Sequence, residues 1–164
     1  MAEIEELVEA LADAAQRSER TVAVAESLTC GKLSSALGAG PDSSTWLRGG
    51  VVAYSTQVKH RVLGVPEVPV VSETAARAMA AGVRSLLDAD VTVAVTGVGG
   101  PGAQDGEPAG SVWLAVDAGE VRQARHEQFD CPPEEVLAGA VEVALRMLLD
   151  VFESEQAKAP EPAE

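Results

Sequence analysis

The chain has 164 residues, enough for one compact domain and short of two. Hydrophobic residues make up 46% of it but aromatics only 3%, so the core must be built from Ala, Val and Leu. A net charge of −14 excludes a protein that tracks a nucleic-acid backbone, which needs a basic footprint, yet it still allows a small anionic ligand held by helix N-termini and a few local cations.

Residues 3–17 place Ile4, Leu7, Val8, Leu11 and Ala14 at helical spacing. Ser18-Glu19-Arg20 interrupts that pattern, and residues 21–25 read as a short buried strand. Residues 31–37 continue as a helix, stopped by Gly38-Ala39-Gly40-Pro41. Asp42-Ser43-Ser44 is loop chemistry, and residues 46–54 form a strand interrupted by Gly49-Gly50. A short helix over 56–63 ends at Gly64. Ser72 caps the next helix, whose buried face carries Ala75, Met79, Val83 and Leu86.

Residues 91–96 are the clearest strand, β-branched and ending in glycine. The segment 97–110 is rich in Gly and Pro and too long for a simple turn, and loops of that length in compact domains are often functional. Residues 111–116 and 123–129 alternate as a β-hairpin. Pro132-Pro133-Glu134-Glu135 opens a last helix that runs to about Phe152. The expected organisation is a single α/β domain over 1–153, a three-layer α/β/α sandwich with a mixed sheet, followed by a disordered acidic tail over 154–164.

Cys30 and Cys131 form neither a metal-ligand spacing nor a disulfide scaffold. The chain opens without a charged, apolar and small-residue leader, and no apolar run reaches membrane-spanning length. The expectation is a cytoplasmic protein with no membrane partner, no nucleic-acid partner, no metal and no cofactor. His60 and His126 have no second ligand at a suitable spacing and read as structural or surface groups.

Three loops, each after an expected strand, are rich in groups that bind or react. They are Glu26-Ser27-Leu28-Thr29-Cys30-Gly31, Tyr54-Ser55-Thr56-Gln57-Val58-Lys59, and Thr96-Gly97-Val98-Gly99-Gly100-Pro101-Gly102. If the strands are parallel neighbours, the loops converge at one edge of the sheet, where ligands of α/β proteins bind. Taken singly, each has an ordinary alternative. Ser27 suits a helix cap, Lys59 a solvated lysine, and the glycine run a loose loop.

The strings AESLTCG, GGVVAYSTQVKHRVLGV, VSETAARAMAAGVR and AVTGVGGPG resemble, in order and spacing, the CinA C-terminal domain (competence/damage-inducible) family. The resemblance covers roughly residues 5–150, and stand-alone members include nicotinamide mononucleotide amidohydrolases. It implies a deamidase that converts nicotinamide mononucleotide and water to nicotinate mononucleotide and ammonia. Carried onto this chain, it makes Ser27 the nucleophile, Lys59 its general base and Tyr54 a hydrogen-bonding partner of that pair. Glu26, Thr29, Cys30, Gly31, Ser44, Thr96 and Gly97 become substrate-binding candidates. Backbone N–H groups around 29–31 and 96–97 would hold an oxyanion or a phosphate. The family's habit also suggests a homo-oligomer. A Ser/Lys pair can supply nucleophile, base and leaving-group acid without a metal, provided the lysine is neutral at working pH.

Four positions depart from the family pattern. Leu28 stands where the family has cysteine, and Cys30 where it has glycine; Cys30 either alters how closely a phosphate approaches or, the favoured reading, is a buried small hydrophobe. Asp130-Cys131-Pro132 replaces a Gly-Asp-Arg segment, and Glu107 replaces a lysine. Either Arg48 or Arg61 substitutes for these lost cations, or the substrate differs, or the chain is a non-catalytic nucleotide-binding or regulatory member.

Overall fold

A computed structural model describes residues 2–158. In chain order the elements are α1 (Ala2–Ser18), β1 (Val22–Glu26), α2 (Lys32–Gly38), α3 (Ser43–Trp46), β2 (Leu47–Val52) and α4 (Thr56–Leu63). There follow α5 (Glu73–Leu87), β3 (Val91–Gly97), β4 (Ser111–Asp117), β5 (Arg122–Gln128) and α6 (Pro133–Lys158). The five strands form one mixed sheet in the order β2-β1-β3-β4-β5. β1 is parallel to β2 and β3, whereas β3, β4 and β5 are antiparallel neighbours. This is the expected three-layer α/β sandwich.

The two faces of the sheet differ in size, and the sequence shows why. Side chains alternate across a strand. Val22, Val24, Val91, Val93, Val95, Val112, Leu114 and Val116 point to one core, shared with α1, α2 and α6. Ala23, Ala25, Ala94 and Ala115 point to the other, which α5 covers with Ala75, Ala76, Met79, Ala80 and Val83. Small residues on that second face let α5 lie close to the sheet, so few aromatics are needed. Thr92 Oγ1 bridges the gap by donating to the Ala80 carbonyl at 2.8 Å.

The connections fix where a ligand can enter. Leaving β1, the chain turns to the face that holds α2; leaving β2, it turns to the opposite face, which holds α4 and α5. The two paths diverge beyond the carboxyl ends of neighbouring parallel strands, which opens a crevice there. Register aligns those ends, since Glu26 pairs with Val52 on one side and Val95 on the other.

Four local expectations change. Residues 43–46 form a one-turn helix, in which Trp46 is buried and donates Nε1–H to the Pro41 carbonyl at 2.9 Å. Leu86 is 52% exposed, because Leu87 takes the inward position at the end of α5. β2 stops at Val52, so Ala53 and Tyr54 belong to the following loop. α6 continues to Lys158, beyond the expected end near Phe152. Buried Val151 and Phe152 hold that last stretch on the core, and Arg20 of the 19–21 turn pairs with Glu155 and lies over the Phe152 ring. The tail expected over 154–164 therefore begins inside a helix, and residues 159–164 lie outside the described residues.

Gly82 lies where α5 crosses the end of α4, and a Cβ there would run into the Leu63 carbonyl. Gly82→Ala is expected to cost about 3 kcal/mol in urea unfolding. A change below about 0.5 kcal/mol would show that the two helices can slide apart.

Candidate active site

The three strand-end loops meet in one cavity of about 430 Å³, a size suited to a small-molecule ligand. Ser27 and Leu28 follow β1, while Tyr54, Thr56 and Lys59 come from the β2–α4 turn and α4. Thr96 to Gly100 and Gly102 to Gln104 come from the end of β3 and its loop. Val70 and Val71 of the strap before α5, and Pro133 and Leu137 of α6, complete the wall.

Ser27 is not the cap of α2. Its backbone N–H donates to the Val95 carbonyl at 3.1 Å, extending the β1–β3 ladder by one residue. The capping duty falls on Glu26. Its buried carboxylate accepts from Leu33 N and Ser34 N, both at 2.9 Å, and from Ser34 Oγ at 2.6 Å. A carboxylate against first-turn amides is doubly favoured, by charge-assisted hydrogen bonds and by the positive end of the helix. Glu26 thus holds α2 onto β1 and is not part of the cavity lining, although the sequence offered it as a substrate-binding candidate.

Lys59 is only 2% exposed although it is charged in solution. Its Nζ donates to the Tyr54 backbone carbonyl at 3.0 Å. Burial pushes the Lys59 amine below its ordinary value, and the field of Asp105 on the 97–110 loop partly opposes that shift. Tyr54 itself is 67% exposed. Its contact with Lys59 runs through the main chain, where the sequence suggested the phenol. No hydrogen bond links Ser27 Oγ to Lys59 Nζ among the described residues, although both residues line the cavity.

The remaining candidates separate. Thr96 and Gly97 line the cavity, but the Thr96 hydroxyl donates to the Val70 carbonyl at 2.6 Å and so fastens the strap. Gly97 lies so close to β4 that a Cβ would meet the Ser111 carbonyl at 2.6 Å. Thr29 is fully buried and outside the cavity lining, with an Oγ1 that has no hydrogen-bond partner among the described residues. Cys30 is exposed rather than buried, and its φ of 46° explains why glycine suits this position. With Gly31 it lines a separate groove between α2, α6 and Ile4 of α1. The Cys30 N–H is spent on the Ser27 carbonyl at 3.1 Å.

Ser44 is exposed on α3, just before Leu47, which pairs with Val22 at the start of β1. It therefore sits at the opposite end of the sheet from Ser27. Arg48 is near it, with Nε donating to the Leu87 carbonyl at 3.0 Å, and Arg61 is exposed on α4 outside the cavity lining. Neither substitutes for a cation at the site. Groups that sequence reasoning missed are Asp105, which acts on Lys59, and the cavity residues Val70, Val71, Gln104 and Leu137. Only their proximity to the glycine loop and to the helix heads could have signalled them.

The pattern of the CinA C-terminal domain matches residues 4–152. The chain belongs to the CinA C-terminal domain family. It is 40% identical to protein YdeJ of Escherichia coli K12 over 157 residues, which cover 91% of this chain and 90% of that protein. It is 46% identical over 122 residues to a CinA-like protein of Gemmatimonas aurantiaca, and there spans only 28% of the longer chain. With a relative from Desulforamulus reducens, 42% identical, the match covers 32% of that protein. Among solved structures, an Escherichia coli CinA superfamily protein superposes with a TM-score of 0.87 at 39% identity, covering 90% of each chain. The Agrobacterium tumefaciens competence/damage inducible protein CihA superposes at 0.84 with 32% identity, covering 91% of this chain and 95% of that one.

Two outcomes follow from the geometry. Glu26→Gln turns an NH₂ group toward helix donors and is expected to destabilise the fold by about 2–3 kcal/mol in chemical unfolding. An unchanged midpoint would remove Glu26 from its anchoring role. For Lys59, a folded-state value below the unfolded one means the unfolded chain binds the proton more tightly. The resulting penalty is present at neutral pH and fades as pH rises toward the unfolded value. Lys59→Met should therefore raise the Tm at pH 7 by about 2–5 °C, with a smaller gain near pH 10. A lower Tm at pH 7 would show that the bond to Tyr54 outweighs the desolvation.

Proposed function

We propose that the chain is an amidohydrolase that deamidates nicotinamide mononucleotide or a related pyridine compound through Ser27 and Lys59. One observation carries this reading above the rest: a serine hydroxyl and a desolvated lysine of lowered pKa line the same cavity at the topological switch of the sheet. Perturbed titration within a cleft is what an acid–base group requires.

In the proposed sequence, neutral Lys59 Nζ takes the Ser27 proton as Oγ forms its bond to the carboxamide carbon. The carbonyl oxygen then carries the negative charge of a tetrahedral intermediate. Collapse breaks the C–N bond while Lys59 returns the proton to nitrogen, so ammonia leaves and an ester on Ser27 remains. Water, deprotonated by the same lysine, attacks that ester; the bond to Oγ breaks as the lysine returns the proton to Ser27, and the carboxylic acid product leaves as its carboxylate by losing its own proton to solvent. The Tyr54 carbonyl orients Nζ throughout, which is its positioning role here. Ser27 Oγ and Lys59 Nζ must come within hydrogen-bond reach before the proton passes between them.

A second reading, a non-catalytic pyridine-nucleotide binder, is favoured by the loss of the two family cations at Glu107 and around Cys131. Ammonia release from nicotinamide mononucleotide, its nucleoside and related pyridine carboxamides separates the two. The amidohydrolase reading expects turnover by the wild type and a loss of at least about 1000-fold in Ser27→Ala and in Lys59→Ala. Absence of turnover on every compound leaves the binder; turnover unchanged in Ser27→Ala overturns the dyad.

A further inference from the structure

Within the long connection from β3 to β4 lies a tightly closed turn. Gln104 and Glu107 exchange backbone bonds at 3.0 and 2.8 Å, and Asp105 and Gly106 between them have positive φ, 51° and 78°. Two left-handed central residues, here Asp-Gly, are what the tightest hairpin turn requires. Gln104 lines the Ser27–Lys59 cavity, so the turn stands at its wall with Asp105 at the tip.

Ser111, the first residue of β4, fastens this turn. It is fully buried, and its main chain meets the connection at both ends. Its carbonyl accepts from Val98 N at 2.9 Å, and its N–H donates to the Pro108 carbonyl at 3.1 Å. The Ser111 hydroxyl adds contacts with Glu107 Oε2 at 2.9 Å and His126 Nε2 at 2.8 Å. A hydroxyl has one hydrogen, and an ionised carboxylate can only accept it. Ser111 therefore donates to Glu107 and accepts from His126, whose Nε2 must carry a hydrogen. Neutral and protonated imidazole both meet that demand, so the anchor does not depend on the charge of His126. Behind it, the His126 ring lies 4.9 Å from that of Trp113, which packs on Val70, Val71 and Val98 of the cavity wall.

The turn bears on Lys59 through charge. Asp105 is the carboxylate whose field opposes the effect of burial on that amine. Other charged groups of the neighbouring elements lie outside the cavity lining. Glu26 caps α2, Glu134 lines the groove beside Cys30, and Glu73 pairs with Arg77. His60 Nδ1 donates to the Val65 carbonyl at 2.6 Å, while Arg61 and Glu67 are exposed. Tyr54 is the remaining ionisable side chain in the lining.

Resting on the reading of Lys59 as the base, we infer that Asp105 is a positioning residue for it, set at the cavity wall by the Glu107–Ser111–His126 hydrogen-bond chain. None of the three anchoring residues lines the cavity, so they act on the amine only through the turn they hold.

The test reads Lys59 directly, by NMR titration of its isotope-labelled side chain in the full chain, whose other lysines are Lys32 and Lys158. Removing the opposing charge favours the neutral amine. Asp105→Asn is therefore expected to lower the Lys59 midpoint, raising its neutral fraction about threefold at any pH well below that midpoint. Glu107→Ala frees the turn and should move the midpoint the same way, whereas Glu107→Gln keeps an acceptor for Ser111 and should match the wild type. In the double variant Asp105→Asn/Glu107→Ala the two changes should not add, because both act through one carboxylate. A midpoint unmoved by Asp105→Asn, full additivity in the double variant, or a Glu107→Gln shift as large as that of Glu107→Ala overturns the inference. The titration needs no turnover, so it is independent of ammonia release. Shifts as expected in a protein that releases no ammonia would remove the base and keep the anchored carboxylate. Ammonia release with none of the shifts would keep the base and remove the role of Asp105.

Discussion

The buried carboxylate of Glu26 is the contact on which the site depends. It ends β1, so its backbone lies in the sheet, while its side chain closes the first turn of α2 through Leu33 N, Ser34 N and Ser34 Oγ. One residue therefore joins a central strand to a helix that has no side-chain cap of its own at Gly31. A seven-residue helix is too short to be stable alone, and its start must be imposed from outside. Because Glu26 supplies the cap, Ser27 is released from that duty and keeps its hydroxyl for the cavity. Gly50 completes the joint, since a Cβ there would collide with Ser34 Oγ and meet Val24 at 2.9 Å.

The second constraint is electrostatic and runs against stability. Lys59 is fixed on α4 by the cap of Ser55, whose Oγ accepts from Val58 N at 3.2 Å, and by the left-handed Gly64 that ends the helix. That helix presses the amine into the crevice with one carbonyl for company. Removing an ammonium from water with a single hydrogen bond in return is unfavourable, and the lowered pKa is the expression of that cost. Folds keep such groups where their chemistry is used. The thick core under α1 and α6, assembled from Val and Leu, supplies the surplus that tolerates it.

Much of this was legible in the sequence, for physical reasons that differ by element. The all-buried strand 91–96 and the Ser72 cap are local signals, and both stand, with Ser72 Oγ accepting from Ala75 N at 3.1 Å. Convergence of the three loops was legible once the strands were taken as parallel neighbours. The role of Glu26 was not, because a capping box within a helix has a fixed spacing, whereas this cap reaches seven and eight residues forward from a strand. Cys30 misled for a related reason: its composition suggests burial, but the backbone there turns through the left-handed region and points the side chain outward. Ser44 shares a family serine's place in the sequence, yet sequence distance says nothing of which end of a sheet a loop occupies. The extension of α6 depends on Arg20, which is 135 positions from Glu155 and invisible to any local pattern.

The rim of the cavity is built largely from main chain and small residues. Gly100 sits against Ala109, where a Cβ would meet the Ala109 methyl at 3.0 Å, and within 3.8 Å of Pro133 on α6. The glycine loop, the approach to β4 and the head of α6 thus meet at one point. Gly110 ties them further, its N–H donating to the Val98 carbonyl at 2.7 Å and its carbonyl accepting from Phe129 N at 2.9 Å. These bonds are made by the main chain and by small residues, so they survive exchange of neighbouring side chains. Beside them, Glu107 accepts from buried Ser111 and Cys131 packs against the larger core. Ser27 directly follows β1, and Lys59 lies on α4. The mouth and the floor of the cavity are therefore carried by different segments of the chain.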